Sequence, residues 1–152
     1  GQVSQLTAKL LPIVADTTLL DFNLLIAAQA EALGRRSPEA CVELIFPTGK
    51  PINTAALLPR ELATRELELM SEMIRTSDPR NARRVSKQEV EQIVQRALGL
   101  LPPDQIQLLV SEQLRSASPR DACKAVVAYL NALNSIPEGE RARSIRAIYS
   151  SN

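Results

Sequence analysis

Histidine is absent from this chain, and no other missing residue type excludes as much chemistry. Without an imidazole there is no Ser-His-Asp or Cys-His nucleophile system, no His-ligated zinc and no Glu-x-x-His di-iron pattern. Tryptophan is missing too, and Tyr and Phe number two each, so few rings are available for nucleic-acid bases to stack on. The five glycines are scattered and form neither G-x-G-x-x-G nor a Walker-type loop; the Gly-Lys of "PTGKP" lacks the Ser or Thr and the following helix that a phosphate cradle needs. No apolar run approaches the roughly eighteen residues of a membrane span. The run Leu24 to Ala28, for example, is bounded by Asn23 and Gln29. Eighteen basic against seventeen acidic residues leave a net charge of +1, so no global field draws the protein to a polyanion, and any basic site must be local.

What is present points to helices. Apolar residues make up 45% of the chain while aromatics supply only 3%, so the core must be built from Leu, Ile, Val and Ala, which suit closely packed helices. A length of 152 residues fits a single helical domain over 1–152 with a real core. The chain opens on Gly1 rather than Met, which leaves open a processed end, a removed leader or a membrane anchor outside the chain.

Apolar spacing and proline joints predict seven or eight helices. Val3, Leu6, Leu10, Ile13 and Val14 mark a first segment broken near Pro12. Thr18 with Asp21 reads as a capping box opening Leu19 to Leu33, apolar on most of its circumference and so the central helix. Ser37-Pro38 opens Glu39 to Phe46, and "PTGKPINT", residues 47–54, is the one long loop. A helix over 60–75 turns Leu62, Leu69 and Met73 inward and a Glu61/Arg65 pair outward; Ser86 with Glu89 opens a helix that Gly99 ends. Segments 103–115, 119–134 and 137–149 complete the set, the last with an apolar face of Ile136, Ile145, Ile148 and Tyr149.

The joints share a format. Leu-Leu-Pro recurs at 10–12, 57–59 and 100–102; Glu31, Glu72 and Glu112 each precede a joint proline by seven residues, and Leu33, Ile74 and Leu114 by five. The expected fold is therefore all-α, a compact bundle built from three loosely repeated helical hairpins. The alternative is a short HEAT-like α-solenoid, whose repeat is of similar length. Ordinary helix punctuation yields the same joints without any duplication.

Cys41 and Cys123 occupy equivalent places in the first turns of helices after the first and third joints. They read as buried free thiols of a cytosolic protein, as a disulfide of an exported one, or as a nucleophile at a helix start that has no histidine base. A bond needs Cα atoms within about 7 Å, whereas first and third units of an open solenoid stand roughly 20 Å apart. The disulfide Cys41–Cys123 is the preferred reading, and with it a closed bundle in a periplasmic or secreted protein.

No catalytic residue, metal ligand or cofactor motif emerges. Glu61, Glu66, Glu68 and Glu72 share one helix with Arg65 and Arg75 at ion-pair spacing, which reads as solvated surface rather than an acid dyad. Asp16, Asp21 and Asp121 read as caps. The basic residues are more informative. Arg75, Arg80, Arg83, Arg84 and Lys87 bracket the second joint, Arg115, Arg120 and Lys124 the third, and Arg141, Arg143 and Arg146 stud the last helix. Arg80 and Arg120 sit at helix starts, where the dipole opposes a cation. If the joints stack on one edge, Arg80, Arg83, Arg84, Arg120 and Lys124 form a ridge for an acidic partner. The expected function is a non-catalytic protein-interaction or regulatory module. The alternatives are an enzyme using carboxylate or serine chemistry, and a nucleic-acid-binding domain, which a continuous basic stripe would require.

Overall fold

The computed structural model describes residues 2–110 and 112–150, with side chains from residue 5 onward. Gly1, Ser111 in the third joint and the side chain of Val3 lie outside the described residues. Among the described residues every regular element is helical: α1 (Gln2–Leu10), α2 (Asp16–Arg36), α3 (Pro38–Ile45), α4 (Thr54–Leu57), α5 (Arg60–Thr76), α6 (Lys87–Leu98), α7 (Pro103–Val110), α8 (Gln113–Ser116), α9 (Pro119–Asn134) and α10 (Glu138–Ser150), with 3-10 turns at Leu11–Ile13 and Pro79–Asn81. The all-α class is as the composition implies. The count exceeds the expected seven or eight because two single-turn helices are added: α4, which starts at the last residue of the 47–54 loop, and α8, which lies at the end of a segment read as one longer helix. No helix among the described residues is long and apolar enough to cross a membrane.

Local chemistry sets most boundaries. Pro12 cannot donate to a helix ladder, and the chain passes there from α1 into a 3-10 turn. Ser37, Ser86 and Ser118 each accept from the backbone N–H three residues on and open α3, α6 and α9. Gly99 ends α6 in a right-handed helical conformation, so its freedom to adopt positive φ is not used. The capping box at Thr18 and Asp21 is a misreading. Helix α2 begins one turn earlier, at Asp16, because Thr18 is buried with its hydroxyl accepting from Thr76 Oγ1 at 3.3 Å, while Asp21 accepts from Arg65. Arg65 also donates to Glu68 and Glu72, so it gathers three carboxylates in place of the expected pairing with Glu61.

Helix α2 is the axis of the bundle, with α3, α5, α9 and α10 packed around it. Its buried residues include Leu19, Phe22, Leu25, Ala27, Ala30 and Leu33, and the small Ala positions let neighbouring backbones come close. Three clusters build the core. One joins Ala30, Leu33, Cys41, Cys123, Val126 and Leu130; the second joins Leu11, Val14, Leu19, Phe22, Met73 and Ile145; the third joins Ala97, Leu133 and Ile136. At the middle of α2, buried Asn23 accepts from Tyr149 Oη at 2.6 Å and donates to Asn134 Oδ1 at 2.7 Å, which fixes the register of α2 against α9 and α10. Gln29 is buried with neither amide atom hydrogen-bonded among the described residues, a cost of about 1–3 kcal/mol per group.

Cys41 and Cys123 are bonded, with Cα atoms 5.7 Å apart. First and third joints are thus neighbours, and the open solenoid, whose first and third units would stand too far apart for this bond, is excluded. Gly34 permits the approach: a Cβ there would lie 2.6 Å from Cys123 Sγ. The three joints also differ in form. A single residue, Ser37, separates α2 from α3, whereas residues 77–86, including a 3-10 turn, separate α5 from α6.

Candidate functional site

The second and third joints lie at opposite ends of α2, so the single basic ridge does not form. At the N-terminal end, Asp78 N–H and Asn81 Nδ2 both donate to Ile13 O, at 2.9 and 3.0 Å, and Ala15 N–H donates to Thr76 Oγ1. At the C-terminal end, Cys123 Sγ lies 4.0 Å from Ala30 O. Helix α2 has 21 residues, which at 1.5 Å per residue puts roughly 30 Å between the ends. Arg80, Arg83 and Arg84 therefore belong to one end, Arg120 and Lys124 to the other.

At the third-joint end, Arg120 and Lys124 are exposed on the first turns of α9. At the second-joint end, Arg80 is 91% exposed and its guanidinium chelates Asp78 through Nε and Nη2, with Asp78 also accepting from Arg80 N–H. The Arg80 side chain holds the Asp78 carboxyl below its ordinary range. The expected conflict with a helix dipole is absent, since Arg80 lies in a single 3-10 turn and its exposed guanidinium pairs with Asp78. Arg84 is exposed.

Arg83 is brought into company that its sequence neighbours do not suggest. With Asp16, Asn81, Ala82, Arg143 and Arg146 it lines a shallow cleft of about 380 Å³, where the start of α2, the connection before α6 and the outer face of α10 meet. Arg146, grouped by sequence with Arg141 and Arg143 among the basic residues of the last helix, is instead buried, its side chain 7% exposed. It donates to Pro12 O at 3.0 Å, Val14 O at 2.8 Å and Asp16 Oδ1 at 2.7 Å, satisfying carbonyls that the turn after α1 leaves open. Arg83 Nη2 donates to Glu89 Oε1 at 2.6 Å, and Arg143 Nη2 lies 3.7 Å from the same oxygen. Two guanidinium groups thus flank one carboxylate oxygen. Arg83 Nη1 is shielded from solvent and has no hydrogen-bond partner, which costs about 1–3 kcal/mol while it stays so. Glu89 opens α6 with its backbone on Ser86 Oγ, but its carboxylate turns to the arginines rather than back to the cap.

Sequence reasoning placed Arg83 at this end and missed the partners. Asp16 read as a cap, Asn81 carried no signal, and Arg143 and Arg146 stood sixty residues away in the chain. One signal was available: Arg146 sits between Ile145 and Ala147 in the apolar part of the last helix, where a charge needs a buried partner.

The carboxylates proposed for an alternative enzyme are interleaved with cations. Asp21, Glu68 and Glu72 are held by Arg65 at 3.3 Å each, and a second shallow cleft on α5 is lined by Arg60, Glu61, Thr64, Arg65 and Glu68, with cations interleaved. Among the described residues no group of three or more potential metal ligands occurs. Comparison with protein-family models, with curated proteins and with solved structures returns no match, so function is read from the chemistry of the two ends alone.

Proposed function

We propose that the chain is a non-catalytic helical interaction module of an exported protein, and that it engages an acidic partner protein through the basic end at the second joint. The observation that carries this reading is the convergence of Arg83, Arg143 and Arg146, from two distant stretches of sequence, on one cleft with exposed Arg80 and Arg84 on the same connection. The Cys41–Cys123 bond supports export, since buried disulfides persist in oxidising compartments and are rare in the cytosol. Separation of Arg120 and Lys124 from the other arginines weighs against a nucleic-acid stripe.

The test uses fluorescence anisotropy with a labelled hexaglutamate peptide. Arg80→Glu combined with Arg84→Glu should weaken binding by about tenfold or more, the loss of two exposed attractions turned repulsive. Arg120→Glu should leave affinity unchanged, and neither variant should lower the melting temperature by more than a few degrees. Equal loss at both ends, or loss at neither, removes the reading; an oligonucleotide binding more tightly than the peptide replaces the partner class.

A further inference from the structure

We infer that the cleft between α10 and the start of α2 is a recognition site for a single carboxylate group, taken up from the cleft side by Arg83 and Arg143, which line it. The inference rests on the reading of this end as a contact surface and names the chemical group that it takes.

Three features carry it. First, three guanidinium groups, Arg83, Arg143 and Arg146, face only two carboxylates, Asp16 and Glu89. A cleft with an excess of one sign of charge raises the local concentration of ligands of the opposite sign. Second, the donors are unequally committed. Arg146 is fully engaged by Pro12, Val14 and Asp16 and forms a rigid floor. Arg143 is 69% exposed with its nearest carboxylate oxygen at 3.7 Å, and Arg83 keeps Nη1 without an acceptor. The exposed planar fork of Arg143 suits one carboxylate, and rotation of the Arg83 guanidinium would give its shielded Nη1 an acceptor on the same ligand. Third, the charge excess is one. A singly charged carboxylate completes the balance, whereas a doubly charged phosphate would stand uncompensated beside Asp16, 70% exposed at the rim, and Glu89.

The carboxylate has two possible sources, a small free acid or an Asp or Glu side chain of the partner protein, and one experiment separates them. Arginine Nε–H and backbone amide resonances of the whole chain are followed by NMR during titration with sodium acetate, with N-acetyl-glutamyl amide and with inorganic phosphate at constant ionic strength. The expected result is a saturable shift of Arg83 and Arg143 Nε–H and of the Asn81–Arg83 amides by both carboxylates, with phosphate weaker. Tighter binding of acetyl-glutamyl amide assigns the site to a protein-borne carboxylate; equal or tighter binding of acetate assigns it to a free one. Arg143→Gln, at an exposed position, should weaken the carboxylates about tenfold, and Arg120→Gln should change nothing. Shifts that do not saturate, an Arg143→Gln titration identical to that of the parent, or phosphate binding more tightly overturn the inference. Hexaglutamate binding that persists while the cleft resonances stay still would sink the carboxylate site and leave the interaction module standing. A cleft that binds carboxylate in a chain that ignores hexaglutamate would do the reverse.

Discussion

Single side chains do work here that a stretch of backbone does elsewhere. Glu43 is the clearest case. Its carboxylate accepts from the N–H groups of Thr48, Gly49 and Lys50 at 2.6, 2.9 and 3.2 Å and from the Thr48 hydroxyl at 2.7 Å, and Gly49 supplies the positive φ of 87° that aims these amides together. The Thr48 hydroxyl, reinforced by the amides, lowers the Glu43 pKa below the ordinary glutamate value. A depressed carboxylate contributes order that is present above its unfolded-state pKa and lost as pH falls through the folded one. The 47–53 loop should therefore hold at neutral pH and loosen only in acid below the usual glutamate range. Amide resonances of Thr48, Gly49 and Lys50 should titrate together there; titration at or above the ordinary value would remove Glu43 as the anchor. Nothing in "PTGKPINT" announced this, because the anchor lies in the preceding helix.

At the scale of elements, what could be read from sequence was punctuation, and what could not was packing. Ser37, Ser86 and Ser118 open helices as their hydroxyls dictate, Pro12 breaks the first one, and the buried faces of α2 and α5 follow apolar periodicity. Thr18 misled because a hydroxyl three residues before an acid is a cap only if nothing else claims it, and Thr76 does. The three joints looked alike because each must stop one helix and start another; their places in the bundle are set by which faces of α2 remain to be covered. Packing explains Gly34, which periodicity alone would treat as a weak helix residue. Gly34→Ala gains up to about 1 kcal/mol of helix propensity, but its Cβ meets Cys123 Sγ at 2.6 Å, and overpacking of this kind costs about 1–3 kcal/mol. Chemical denaturation should show a net loss in the disulfide-bonded protein. In a background of Cys123→Ala the same substitution should be neutral or stabilising; an equal loss in both backgrounds would mean that the glycine serves something other than the sulfur.

The whole molecule has two distinct ends on one axial helix. The C-terminal end of α2 is tied by the bond from α3 to α9, and the N-terminal end presents the arginine cleft, with the Asn23–Asn134–Tyr149 network between them. Two-endedness was illegible in the sequence because it depends on α9 and α10 folding back along α2 across separations such as 93 residues for Cys123 and Ala30 and 126 for Tyr149 and Asn23. The bond spans 82 residues, and on the chain-entropy account a loop of that length is worth about 4–5 kcal/mol, a large share of the total stability of a domain this size. Closure of the bundle by this bond is the central claim, on which the exclusion of the solenoid and the reading of an exported protein rest. It is tested most directly by mass spectrometry of the protein from its native source, alkylated under denaturing conditions before and after reduction. The prediction is no alkylation before reduction, a single peptide pair joining Cys41 to Cys123 after digestion, and two alkylated thiols once reduced. Two alkylated thiols in the unreduced protein would contradict it.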